Sequence, residues 1–255
     1  AFAHVSEMGL VLLMPTGLYI QAGVWVVGLT ALALMVLRAS WIETIFANRC
    51  IAPRPQIPGV FLISCATALL MCALLWAGFT GSRDPLVNPL PLMVWTVIWI
   101  GLLLAQGIVG DVWRVLNPWS GPVRLMNGQA HPFRLPEWLG AWPGCVGVMA
   151  FACFALADPA PDDPARLATF TGGYWLVILC ACLLWGTEPI LTRCEFLSMI
   201  ARRFADLAVI GSRTEAGTGA THIRIGLPGW ALVRSNVSLS TGIFALLILG
   251  IGSFD

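Results

Sequence analysis

Residues 49–80 read RCIAPRPQIPGVFLISCATALLMCALLWAGFT: two arginines, then a run from Ile57 to Thr80 that contains no charged residue. About 20 apolar residues in a helix cross a hydrocarbon core roughly 30 Å thick, so this run is long enough to span a bilayer. The pattern of arginines beside apolar runs repeats along the chain. Arg38, Arg49 and Arg54 form one block, Arg114, Arg124 and Arg134 a second, and Arg193, Arg202, Arg203, Arg213, Arg224 and Arg234 a third. Only Arg83 and Arg166 lie outside these blocks, and the chain has no Lys. Composition agrees, with 58% hydrophobic and 11% charged residues, where a soluble domain carries about 25% charged residues.

The apolar runs lie near 16–37, 57–80, 90–110, 138–157, 170–191 and 238–254. They predict an all-α membrane protein of about six transmembrane helices, forming a single membrane domain over residues 1–255. Positive residues resist translocation, which puts 38–56, 111–137 and 192–237 in the cytoplasm of a bacterium and the chain in its inner membrane. The N-terminus, 81–89, 158–169 and Asp255 are then periplasmic, and that side holds the acidic residues Asp158, Asp162 and Asp163. Ala1-Phe2-Ala3 matches the small-x-small pattern before signal-peptidase cleavage, so cutting is expected either before Ala1 or before His4. Asp255 follows the last apolar run at once, and the sequence is expected to be part of a longer chain.

The cytoplasmic loop 192–237 has structure of its own. Phe196, Ile200, Phe204 and Leu207 recur at helical spacing opposite Arg202, Arg203 and Asp206, predicting an amphipathic helix on the inner leaflet. Beyond a Gly/Thr-rich turn at 211–221, His222-Ile223-Arg224-Ile225 alternates and runs into Leu227-Pro228-Gly229-Trp230, predicting a short hairpin. The basic residues of this loop are expected to face lipid rather than nucleic acid. Trp41, Trp113, Trp119, Trp138, Trp142, Trp175 and Trp185 fall at span ends and read as interface anchors.

His4, His131 and His222 are the only histidines, and all fall outside the apolar runs. Axial His ligands for a membrane haem or chlorin would have to project from the spans, so no cofactor is expected on this chain alone. Six of eight cysteines lie in the runs and none in a periplasmic loop, which predicts packing residues rather than a disulfide framework. Two carboxylates close spans: Asp111 after Gln106-Gly107-Ile108-Val109-Gly110, and Glu188 after Trp185-Gly186-Thr187. Both spans run toward the cytoplasm, so Asp111, Glu188 and Gln106 form the candidate buried polar site, because an ionisable group near a span is a functional candidate. The alternative is headgroup-level pairing of these carboxylates with Arg114 or Arg193. His4 and Glu7 are a candidate copper site at the periplasmic face, since an N-terminal His offers amine and imidazole nitrogens together.

Ala3-His4-Val5-Ser6-Glu7, Gly110-Asp111-Val112-Trp113-Arg114, Asn117-Pro118-Trp119 and Cys194-Glu195-Phe196-Leu197-Ser198 resemble a bacterial family of polytopic membrane proteins termed fenitrothion hydrolase-like. The resemblance implies a polytopic fold extending past Asp255 and, through the family's label, cleavage of organophosphate esters. From the residues themselves, the leading expectation is a non-catalytic scaffold or accessory subunit packed against other membrane subunits of a redox or energy-converting complex. The alternative is a membrane-bound hydrolase or a copper-handling protein.

Overall fold

A computed structural model describes residues 16–53, 59–128, 132–214, 221–234 and 237–251, in two compact units, Ala1–Ala47 and Asn48–Asp255. The first unit holds helix α1 (Thr16–Val36) and helix α2 (Ala39–Ile45). α1 is apolar on every side, as a helix facing lipid or a hydrophobic interior must be. The two helices are separated by Arg38, whose extended backbone (φ −75°, ψ 142°) interrupts the helical hydrogen bonding.

The second unit opens with strand β1 (Arg49–Pro53) and helix α3 (Val60–Thr80). Helix α4 (Pro89–Val109) follows, and its middle, Leu92–Leu102, winds as a π-helix. Short helices α5 (Trp113–Leu116) and α6 (Ser120–Asn127) lead to α7 (Trp142–Ala157) and α8 (Pro164–Trp185). Then come α9 (Thr187–Arg193), α10 (Phe196–Ala205), strands β2 (Ile210–Thr214) and β3 (Thr221–Ile225), and α11 (Leu239–Ile251). The chain is mostly helical, and α3, α4 and α8 are long and apolar enough to cross a membrane. α7, α11 and the Ile20–Ala33 part of α1 are shorter apolar helices.

Each apolar run holds a helix among the described residues, but some ends move. α8 starts at Pro164, ahead of the expected 170, because Asp163 caps it by accepting from the amides of Ala165 (3.1 Å) and Arg166 (3.0 Å). It stops at Trp185 because Gly186 takes φ +90°, and Glu188 therefore belongs to the first turn of α9. Asn88 joins the end of α3 to the start of α4. Its Oδ1 accepts from the Leu90 amide (3.0 Å), and its Nδ2 donates to the carbonyls of Ala77 (2.9 Å) and Ser82 (2.8 Å). α3 comes close to two neighbours through glycines. A Cβ on Gly78 would lie 2.8 Å from the Ala168 Cβ of α8, and one on Gly121 would lie 2.5 Å from the Cys65 amide of α3.

Two expectations need correction. The apolar face of α10 does not lie on the bilayer surface: Phe196, Met199, Ile200 and Ala201 are buried, with Met199 against Gly144 and Phe196 against Gly147 of α7. Only Leu207, past the end of the helix, remains exposed. The all-α class holds for most of the chain but not for its arginine-rich loops, where the expected short hairpin is present and gains a third strand. The hairpin β2–β3 pairs in antiparallel register from Ile210↔Ile225 to Thr214↔Thr221, and β1 adds to β3, giving a three-stranded sheet of order β1-β3-β2. Part of the expected turn at 211–221 is strand β2, and Leu227-Pro228-Gly229-Trp230 follows β3. Trp230 folds back and is buried over Gly226 and Gly211, where a Cβ would come within 2.7 and 2.9 Å of its ring.

Candidate functional site

Gly110 ends α4 with φ +99°, and a Cβ there would sit 2.7 Å from the Ile210 carbonyl oxygen of β2. This close approach turns the chain so that Asp111 and the short helix α5 lie against α10. Asp111 and Glu188 then line the same cavity of about 130 Å³, with Arg114, Asn117, Thr187, Ser198 and Arg202 also in its wall. The two carboxylates expected at similar depth thus border one space. Their pairing with arginine is not found: among the described residues neither carboxylate is in an ion pair, and Asp111 Oδ1 accepts from the Arg114 backbone amide at 3.2 Å. Glu188 is exposed and Asp111 half-buried.

Gln106 is completely buried and does not line that cavity. Its Oε1 accepts from the Val112 amide (2.6 Å), fixing the turn after Gly110, while its Nε2 has no partner among the described residues. Of the three residues predicted as one polar site, two share a cavity and the third supports the backbone that places one of them. His4 and Glu7, the candidate copper ligands, lie outside the described residues, as does His131. Among the described residues no group of three or more His, Cys, Asp or Glu side chains is placed to hold a metal ion.

The residue that sequence reasoning missed is Glu195. It is completely buried and caps α10, accepting from the amides of Leu197 (2.9 Å) and Ser198 (2.6 Å) and from the Tyr174 hydroxyl of α8. Burial pushes its carboxyl above the ordinary range, against the lowering effect of these hydrogen bonds. A signal was present in the sequence, because an acidic residue just before an amphipathic helical run is a capping position.

Tyr174 borders a second cavity, of about 80 Å³, walled by Trp95, Trp99, Trp119, Phe151 and Phe196 among others. The π-wound part of α4 brings Trp99 and Trp95 to Phe151, at 4.9 and 5.9 Å between ring centroids. Trp113 and Trp119 pack edge-to-face at 6.2 Å, and Trp119 meets Tyr174 in the same way. Their indole N–H groups are bonded within the protein, Trp113 to Ser198 Oγ (2.8 Å) and Trp119 to the Trp175 carbonyl (3.1 Å). Trp113 and Trp119 are thus buried packing residues and not interface anchors, whereas Trp41, Trp138 and Trp142 are exposed.

The segment Asn117-Pro118-Trp119-Ser120 is the wall between the two cavities. Asn117 Oδ1 accepts from the Ser120 amide (3.0 Å) and hydroxyl (2.8 Å), and its Nδ2 donates to the Arg114 carbonyl (2.9 Å). Ser64 of α3 completes it by donating to the Asn117 carbonyl and accepting from the Gly121 amide. Chemically, the site pairs a polar, arginine-bordered cavity with an apolar aromatic one, and Ser198 and Glu195 sit between them. The chain matches no family model, no curated protein and no solved structure.

Proposed function

We propose that this chain is a six-span subunit of the bacterial inner membrane, with its arginine-rich loops in the cytoplasm. Its role is that of a scaffold for other membrane subunits of a redox or energy-converting complex. The observation that carries the reading is how its interior polar groups are engaged. Asn88, Asn117, Glu195 and Ser64 bond to the chain's own backbone, so the buried chemistry holds helix ends and turns together. Interior polarity of this kind fixes one rigid packing of helices whose remaining apolar surface is left for lipid and partners.

Support for the topology comes from what meets at each end. β1, from the first arginine-rich loop, shares a sheet with β2 and β3 from the third, and Trp113 of the second bonds to Ser198 of the third. The loops assigned to the opposite side meet one another, through Arg83 and Asp163 at 3.3 Å.

Extraction of the full chain from its native membrane in a mild detergent tests the subunit reading. A stable assembly well above the chain's own 27.4 kDa, with the chain degraded when its partners are deleted, is expected. A chain that extracts alone and persists unchanged without partners would overturn it.

A further inference from the structure

Four chain segments meet at the arginine-rich end around a separate polar cavity of about 100 Å³. Gly140 and Ala141 approach it ahead of α7, Thr192 and Arg193 from the last turn of α9, Arg202 and Arg203 from the last turn of α10, and Ser238 and Thr241 from the start of α11. Three arginines therefore border one space, Arg202 also lining the cavity of Asp111 and Glu188, and no carboxylate is among the residues that line this one. Asp206 holds Arg203 by one contact of 3.3 Å, which leaves the other donors of that guanidinium available. Among the described residues Arg193 and Arg202 are in no ion pair.

Arginines in the last turn of a helix also answer the negative end of its dipole. That accounts for each one's place along α9 and α10, but not for three of them converging beside the N-termini of two further helices. α7, of 16 residues, and α11, of 13 residues, both begin here. The Ser240 hydroxyl ties the two starts together by accepting from the Ala141 amide at 3.0 Å, and Ser238 Oγ caps α11 by accepting from the Thr241 amide at 3.3 Å. First-turn amides carry partial positive charge and favour an anion, and arginines add forked donors suited to phosphate oxygens. The volume corresponds to roughly three waters, room for a single phosphate group.

We propose that this cavity binds a phosphate-bearing anion, with Arg193, Arg202 and Arg203 supplying charge and Ser238 and Thr241 supplying hydroxyls. The ligand is either the headgroup of an anionic phospholipid or a free phosphate. The inference does not rest on the subunit reading, since it needs only the cavity itself.

The test uses the purified full chain in two arms: titration with inorganic phosphate in detergent, and native mass spectrometry after reconstitution with phosphatidylcholine alone or mixed with phosphatidylglycerol. Saturable binding of inorganic phosphate assigns the free anion. Stoichiometric retention of phosphatidylglycerol over phosphatidylcholine, with inorganic phosphate inert, assigns the headgroup, and either result supports the site. Affinity should fall about tenfold in Arg202→Gln and in Arg193→Gln, the loss of a charge-assisted contact, with partial recovery in Arg202→Lys. Equal retention of both lipids together with no phosphate binding would overturn the proposal, as would binding unchanged in both Gln variants. If the variants do not fold, the wild-type arms alone decide.

Discussion

At the scale of single residues, burying Glu195 against Tyr174 makes protonation part of folding. Its carboxyl is raised in the folded chain relative to the ordinary value near 4.3. The folded state then holds the proton more tightly than the unfolded state, so the contribution to stability is fully present below the ordinary carboxyl range and is lost as pH rises through the raised value. Thermal unfolding in detergent as a function of pH should show this fall, and Glu195→Gln should flatten it. A slope unchanged in the variant would remove Glu195 as its source. Tyr174→Phe deletes one of the donors to a buried carboxyl and should destabilise by about 1–3 kcal/mol, more at high pH than at low. That Asp111 and Glu188 lie near each other was suggested by the sequence, because each falls near the end of an apolar run, and they line one cavity. The place of Glu195 was not, because its burial comes from α8 packing over α10, a contact between residues far apart in sequence.

Among elements, the junction of α4 with β2 depends on a glycine at position 110. Ala there meets both a backbone conformation that favours glycine and a carbonyl oxygen 2.7 Å away. Gly110→Ala should therefore cost about 1–3 kcal/mol or more through strain, read as a fall in melting temperature. Gly173→Ala is the control, since a Cβ there meets nothing within 4 Å inside helix α8. That variant should be neutral or stabilising by up to about 1 kcal/mol, by helix propensity. Equal losses in both variants would show that the α4–β2 junction is not what Gly110 serves. The helices were readable from the apolar runs, and α3, α4 and α8 are long and apolar enough to cross a membrane. The π-winding of Leu92–Leu102 was not readable, because its sequence is as apolar as any other span and gives no periodic mark of how tightly it winds. The burial of α10 was misread for a related reason: an amphipathic face meets protein or lipid with the same residue pattern.

For the whole molecule, the arginine distribution predicts orientation, and labelling can check it. In a background cleared of its eight cysteines, Asp162→Cys should react with an impermeant reagent from the periplasm. Met126→Cys, exposed on α6, should react only from the cytoplasm. The reverse pattern would sink the proposed orientation. The proposed grouping of loops rests on charge alone, since one rule assigns all twelve clustered arginines to the same side. That two of these loops share a sheet was not legible in the sequence, because β1 alone is five residues with no clear alternation.

The sheet also sets an order in time. Arg224 on β3 donates to Asn48, just ahead of β1, across 176 residues of sequence. At roughly 5–20 residues per second of synthesis, β1 leaves the ribosome roughly 10–35 s before the strand that pairs with it exists. During that interval its edge is open to chaperones or to a neighbouring nascent chain. Assembly of the arginine-rich end is therefore a late event of biogenesis, and a ribosome stalled before residue 221 would leave that end unbuilt however well the earlier helices had inserted.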